Sequence, residues 1–91
     1  EEFIALLPYT DIAGAKIIGG SMRENIKKLQ IPHEHSLVSD CVTISVGVAN
    51  ILPKNEYEPG LLIDGADKAL YEAKKESRDT CKICQVEEMF N

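Results

Sequence analysis

Four charged residues near the two ends of this chain are of the types that hold a metal-bound polyphosphate: Glu1 and Glu2 at the start, Lys74 and Arg78 in a late amphipathic segment. Magnesium is a hard cation that takes oxygen ligands and commonly uses one or two carboxylates together with substrate phosphates. Arg supplies a planar fork of donors and Lys a mobile point charge, a pair suited to a terminal phosphate. Lys74 and Arg78 are four apart, so on a continuous helix they share one face, and Asp67 and Tyr71 extend that line toward the helix start. Glu1 and Glu2 are adjacent, so in a strand they point to opposite faces and only one can meet a given ion. Spacing by itself leaves the plainer alternatives open: solvated terminal acids, and two exposed cations stabilised by a helix C-terminus.

Two other groups have metal-ligand types. His33-Glu34-His35 can offer two imidazoles on one side of a strand, although as part of an exposed loop it offers none in fixed geometry. Cys81 and Cys84 have the spacing of half a zinc or redox site, but residues three apart in a strand face opposite sides, and no second Cys pair is present. Cys41, beside an apolar run, reads as a small buried hydrophobe.

The elements that must position these residues alternate along the chain. Phe3 to Leu7 is a short apolar run ended by Pro8, the pattern of a strand buried on both faces. Thr10 and Asp11 form an N-cap and first-turn pair, followed by Ala15, Ile18, Met22, Ile26 and Leu29 at helical spacing up to about Gln30. Gly19 and Gly20 inside that helix predict mobility or a kink. Residues 31–40 read as a loop, with room for a short edge strand. Val42, Ile44, Val46 and Val48 alternate with the smaller Thr43, Ser45, Gly47 and Ala49, predicting a strand with one face under helices and the other open to close approach. Pro53, Asn55, Pro59 and Gly60 mark a loop. Leu62, Ile63, Ala66, Ala69, Leu70 and Ala73 then form the apolar stripe of a helix ending near Ser77. Thr80 to Val86 suits a last strand, and residues 87–91 a frayed tail. The expected class is α/β, an α+β sandwich ordered strand, helix, strand, helix, strand and lacking its first elements, with residues 1–86 as the structured unit.

Composition narrows the possible functions. With 91 residues the chain suits one small domain or part of one, burying about 60–65% of its unfolded surface. Hydrophobic residues make up 44% and charged residues 27%, as in ordinary globular chains. A net charge of −5 argues against a polymeric nucleic-acid partner, whose backbone is bound by clustered Lys and Arg. No apolar run reaches the ~20 residues of a membrane span. Three cysteines without a secretory signal point to a reducing, cytoplasmic compartment.

Three segments in order carry a resemblance: Glu1-Glu2-Phe3, Val42-Thr43-Ile44-Ser45-Val46-Gly47-Val48-Ala49, and Ala66-Asp67-Lys68-Ala69-Leu70-Tyr71-Glu72-Ala73-Lys74 followed by Arg78. Together they resemble the C-terminal half of a GGDEF domain, the diguanylate cyclase module, beginning at the third letter of Gly-Gly-(Asp/Glu)-Glu-Phe. The resemblance implies that Glu1 helps bind the divalent metal, Mg2+ or Mn2+, and that Glu2 is a second candidate for metal or acid/base work. It also implies that Lys74 and Arg78 contact the triphosphate of GTP, and that Asp67 and Tyr71 support the fold. In the complete module two GTP-loaded domains meet as a homodimer and condense their nucleotides into cyclic di-GMP, releasing pyrophosphate. The family's metal-binding Asp, its guanine-reading Asn and Asp, and its inhibitory Arg-x-x-Asp motif belong upstream of the signature glycines. The chain alone is therefore expected to be inactive, and the parent to carry an N-terminal sensory or regulatory domain, with a membrane tether left open.

Ser77 stands where the family usually has Gly, and Asp79 where it usually has Asn. Asp79 is expected to compete with phosphate for Arg78. That favours an alternative, a degenerate signalling module that binds GTP or a protein partner without turnover.

Overall fold

The computed structural model describes residues 2–33, 41–76 and 78–87. Its element order is α1 (Ile12–Lys28), β1 (Val46–Asn50), α2 (Pro59–Glu76) and β2 (Cys81–Gln85). The strands pair in parallel, Val46 opposite Cys81 and Asn50 opposite Gln85, so β1, α2 and β2 form a β-α-β unit with α1 added. The mixed α/β class expected from the sequence is observed.

The two helices cover opposite faces of the sheet. Alternate residues of a strand point to opposite sides. A Cβ placed on Gly19 of α1 would lie 3.1–3.2 Å from side-chain atoms of Val46, Val48 and Cys81. Gly47 points the other way, where a Cβ would lie 2.5 Å from the Ala66 carbonyl oxygen and 2.7 Å from the Leu70 Cα. The second face of β1 thus takes the backbone of α2 directly, which is why it is built from small residues. Ala69 and Ala73 are buried on α2, and Val86, just beyond β2, is wholly buried.

Asp11, rather than Thr10, caps α1: its carboxylate accepts the Gly14 N–H at 2.8 Å, while the Thr10 hydroxyl donates to the Pro8 carbonyl. α1 then runs unbroken through Gly19 and Gly20. Close packing on Val46 and Val48 accounts for Gly19 and corrects the expected kink. Within the predicted stripe Ala15 is buried, whereas Met22 is partly and Leu29 largely exposed.

Residues 3–7 form no strand, contrary to expectation: Phe3, Ile4 and Leu6 are 75–89% exposed. An extended segment becomes a strand only when its N–H and C=O groups pair with a neighbour, and no described strand pairs with this one. The same cause shortens β1. Its ladder begins where the Thr80 carbonyl accepts the Val46 N–H, while Val42 instead donates to the Ile31 carbonyl, next to an isolated Pro32 to Cys41 bridge. Cys41 is buried. Glu87 accepts a hydrogen bond from the Leu52 N–H at 3.0 Å, which holds its carboxyl below the usual range; the rest of the predicted tail lies outside the described residues. No helix among the described residues is long and apolar enough to cross a membrane.

Candidate functional site

Asp67, Leu70, Tyr71 and Lys74 fall at i, i+3, i+4 and i+7 of α2 and form one stripe along its side. Gly47 fixes where that stripe lies, because it lets the α2 backbone at Ala66 and Leu70 rest directly on β1. Glu2 comes to the same place from the opposite end of the sequence. Its Oε2 lies 3.0 Å from the Lys74 Nζ, and the five residues line a cleft of about 310 Å³.

The cleft's charged groups are two carboxylates and one ammonium. Carboxylate oxygen is the right ligand chemistry for a hard divalent cation, and the ammonium is a ready partner for phosphate. Among the described residues no three His, Cys, Asp or Glu side chains gather closely enough to hold an ion by themselves. Such an ion would therefore draw its remaining ligands from substrate phosphate, from water or from Glu1, which lies outside the described residues. Tyr71 is 64% exposed and Asp67 is exposed, so neither supports the core. Their place is on the cleft wall. The signal was present in their spacing from Lys74.

Arg78 is not on the helix face with Lys74. α2 ends at Glu76, and Arg78 has left-handed backbone, φ 54, with its N–H donating to the Ala73 carbonyl at 2.9 Å. This bond back to the fifth preceding residue closes the helix and turns the chain toward β2. The Arg78 side chain is exposed and is not part of the cleft lining.

Asp79 is also left-handed, φ 44, and its carboxylate faces α1. Oδ1 accepts from Arg23 and Oδ2 from Lys27, each at 3.0 Å, and the Arg23 guanidinium also reaches the Asp79 carbonyl at 3.2 Å. Burial opposes the charge on Asp79, but the hydrogen bonds and positive charges of Lys27 and Arg23 outweigh it and hold the carboxyl below its ordinary range. The expected competition with phosphate for Arg78 loses its basis, since both carboxylate oxygens are engaged elsewhere. Sequence reasoning missed Arg23 and Lys27. Their only signal was a basic pair four apart on α1, the ordinary pattern of a solvated face.

The remaining candidates divide. Of the His33-Glu34-His35 group only His33 is described, and it is exposed. Cys81 lies against α1 at Gly19, whereas Cys84 approaches Gly65 of α2, so the two thiols face opposite sides of the sheet as expected. Burial pushes the Cys81 thiol up, against the pull of Arg23 and Lys16, which makes it a poor nucleophile.

An acid from the first residues and a base from α2 thus meet in one cleft, carried by segments 72 positions apart. The model of the family "Diguanylate cyclase, GGDEF domain" matches residues 1–80. The chain belongs to the GGDEF family. It is 37% identical over 86 residues to a "Probable diguanylate cyclase DgcT" of Escherichia coli strain K12, covering 94% of this chain and 19% of that protein. It is 32% identical over 79 residues to "Diguanylate cyclase A" of Treponema denticola, covering 87% of this chain and 20% of the relative. The chain therefore spans about one-fifth of the length of these two relatives.

Proposed function

We propose that the protein carrying this chain is a diguanylate cyclase, and that Glu1, Glu2, Lys74 and Arg78 contribute one half-site of its reaction. The 3.0 Å ion pair between Glu2 and Lys74 carries this reading. It brings the acidic signature and the basic helix to one cleft, where a triphosphate and its counter-ion meet complementary charge.

In this proposal Lys74 and Arg78 neutralise the triphosphate of GTP. The 3′-hydroxyl of a nucleotide on a partner domain attacks the α-phosphate, a new P–O bond forms, and the bond to pyrophosphate breaks. In this reading Glu2 accepts the hydroxyl proton once Lys74 has turned to phosphate. A magnesium or manganese ion held by Glu1 would supply charge stabilisation to the reacting oxygens. Each domain brings one nucleotide, so a homodimer is required.

The 91-residue chain alone is proposed to be inactive. Phe3, Ile4 and Leu6 are largely exposed, so the acidic segment is tethered here by a surface ion pair worth about 0–1 kcal/mol. Catalytic groups need positions held to about 0.5 Å. The alternative, a module that binds GTP or a protein partner without turnover, is favoured by both Ser77 and Asp79; Arg23 and Lys27 engage both Asp79 carboxylate oxygens, which removes one of these two grounds.

Calorimetric titration of the native full-length protein with GTP and magnesium tests the site. Lys74→Ala is expected to weaken binding about 10- to 100-fold, the worth of a charge-assisted contact. Unchanged affinity would place the triphosphate elsewhere.

A further inference from the structure

We infer that the Asp67 and Tyr71 end of the cleft is a ribose subsite: the Asp67 carboxylate accepts the 2′-hydroxyl of the nucleotide whose triphosphate lies against Lys74, and the Tyr71 ring lies under the sugar. The inference rests on the reading of this cleft as a triphosphate site and adds which part of the nucleotide its far end takes.

Lys74 and Asp67 stand seven residues apart on α2, roughly 10 Å along the helix at 1.5 Å per residue, with Leu70 and Tyr71 between them. All four line one cleft. Lys74 has Glu2 as its partner, but among the described residues no hydrogen bond or ion pair engages the Asp67 carboxylate or the Tyr71 hydroxyl. Both side chains are exposed on the cleft wall, so neither is there for packing.

Charge fixes which way a nucleotide lies. A triphosphate is repelled by a carboxylate and drawn to an ammonium, so the polyanion takes the Lys74 end. An ionised carboxylate only accepts hydrogen bonds, so Asp67 needs a neutral donor. The group next along the nucleotide is the sugar, whose hydroxyls are such donors, and a carboxylate is the acceptor that dinucleotide-binding folds use for a ribose 2′-hydroxyl. Leu70 and Tyr71 offer apolar surface on which the carbon face of a sugar ring packs. The 3′-hydroxyl is not the partner, because in the proposed reaction it must reach the α-phosphate on the other domain. At about 310 Å³ the cleft is at the small end of ligand pockets, which suits phosphates and sugar and leaves the base to residues outside it.

The test compares two GTP analogues, 3′-deoxy-GTP and 2′,3′-dideoxy-GTP. Both lack the attacking hydroxyl, so neither is consumed, and they differ only at the 2′ position. Calorimetric affinities are measured with magnesium on the native full-length protein, beside inorganic triphosphate, with folding checked by circular dichroism. The native protein is expected to bind the 3′-deoxy analogue about tenfold more tightly, the lower end for a hydrogen bond to a charged group. Asp67→Ala should bring that ratio near one without lowering triphosphate affinity, and Asp67→Asn, which keeps one acceptor oxygen, should fall between. Tyr71→Ala should weaken both analogues about two- to tenfold and leave triphosphate affinity unchanged. A native ratio near one, or a ratio unchanged in Asp67→Ala, overturns the proposal. So does an equal weakening of both analogues in Asp67→Ala, which would make Asp67 a metal ligand or part of the fold. If Lys74→Ala weakens triphosphate binding while Asp67→Ala leaves the ratio intact, the ribose subsite falls and the cleft reading stands. If Lys74→Ala changes nothing, both fall.

Discussion

Gly47→Ala tests the packing that places the site. A Cβ at Gly47 would stand 2.7 Å from the Leu70 Cα and 2.5 Å from the Ala66 carbonyl oxygen, both main-chain atoms of α2. Carbon atoms pack comfortably at about 3.5 Å and the Leu70 nitrogen is nearer than its Cα, so α2 must retreat by roughly 1 Å, and no flexible side chain can yield instead. Overpacking of this kind costs about 1–3 kcal/mol, and the better strand propensity of Ala returns about 0.5–1 kcal/mol. A net loss of about 1 kcal/mol corresponds to a fall in Tm of roughly 4–8 °C for a domain of this size. The assay is thermal unfolding followed by circular dichroism, with Gly20→Ala as the control. A Cβ at Gly20 meets nothing within 4 Å, so that variant should gain about 0.5–1 kcal/mol from helix propensity. A moved α2 also carries Lys74 away from its place, so triphosphate affinity should fall with stability in Gly47→Ala. Wild-type stability in Gly47→Ala would refute the direct contact between the sheet and the α2 backbone.

Two further outcomes follow from the ion pairs. Asp79→Ala should destabilise the protein by about 1–2 kcal/mol at neutral pH, between the worth of exposed and of charge-assisted buried contacts. The Asp79 carboxyl is held below its ordinary value near 3.8, so its ionic contribution is present above that value and is lost as pH falls through the lower folded value. Urea unfolding at a series of pH values should therefore show wild type and variant converging below about pH 4, and a constant gap would count against the linkage. Glu2→Gln frees Lys74 from an exposed partner: stability should change by less than about 1 kcal/mol, and metal-free binding of inorganic triphosphate should tighten by up to about fivefold. Weaker metal-free binding would show that Glu2 does not compete for Lys74.

Periodicity made much of the framework legible. The α2 stripe predicted the burial of Ala69 and Ala73, and the alternation around Gly47 predicted a strand face open to close approach. Pro59 and Gly60 were read as loop, yet α2 begins at Pro59, because Pro is tolerated in the first turn, where its missing N–H has no helical partner. The opening segment misled for a different reason. Phe3 to Leu7 has a strand's composition, but a strand also needs a paired neighbour, and composition does not report one. At the site, the acid and base types were legible, and so was the line from Asp67 to Lys74. The ion pairs of Asp79 were not, since its partners Lys27 and Arg23 lie 52 and 56 positions away and each looks like an ordinary surface cation in its own helix.

If this acid and base cleft serves the condensation of two GTP molecules, the products of the native full-length protein with GTP and magnesium, identified by mass spectrometry beside those of Lys74→Ala and Arg78→Ala, report it. Cyclic di-GMP and pyrophosphate are expected from the native protein, with a large loss of both in the two variants. GTP left unchanged by folded native protein, or cyclic di-GMP formed equally well without Lys74 and Arg78, would contradict it.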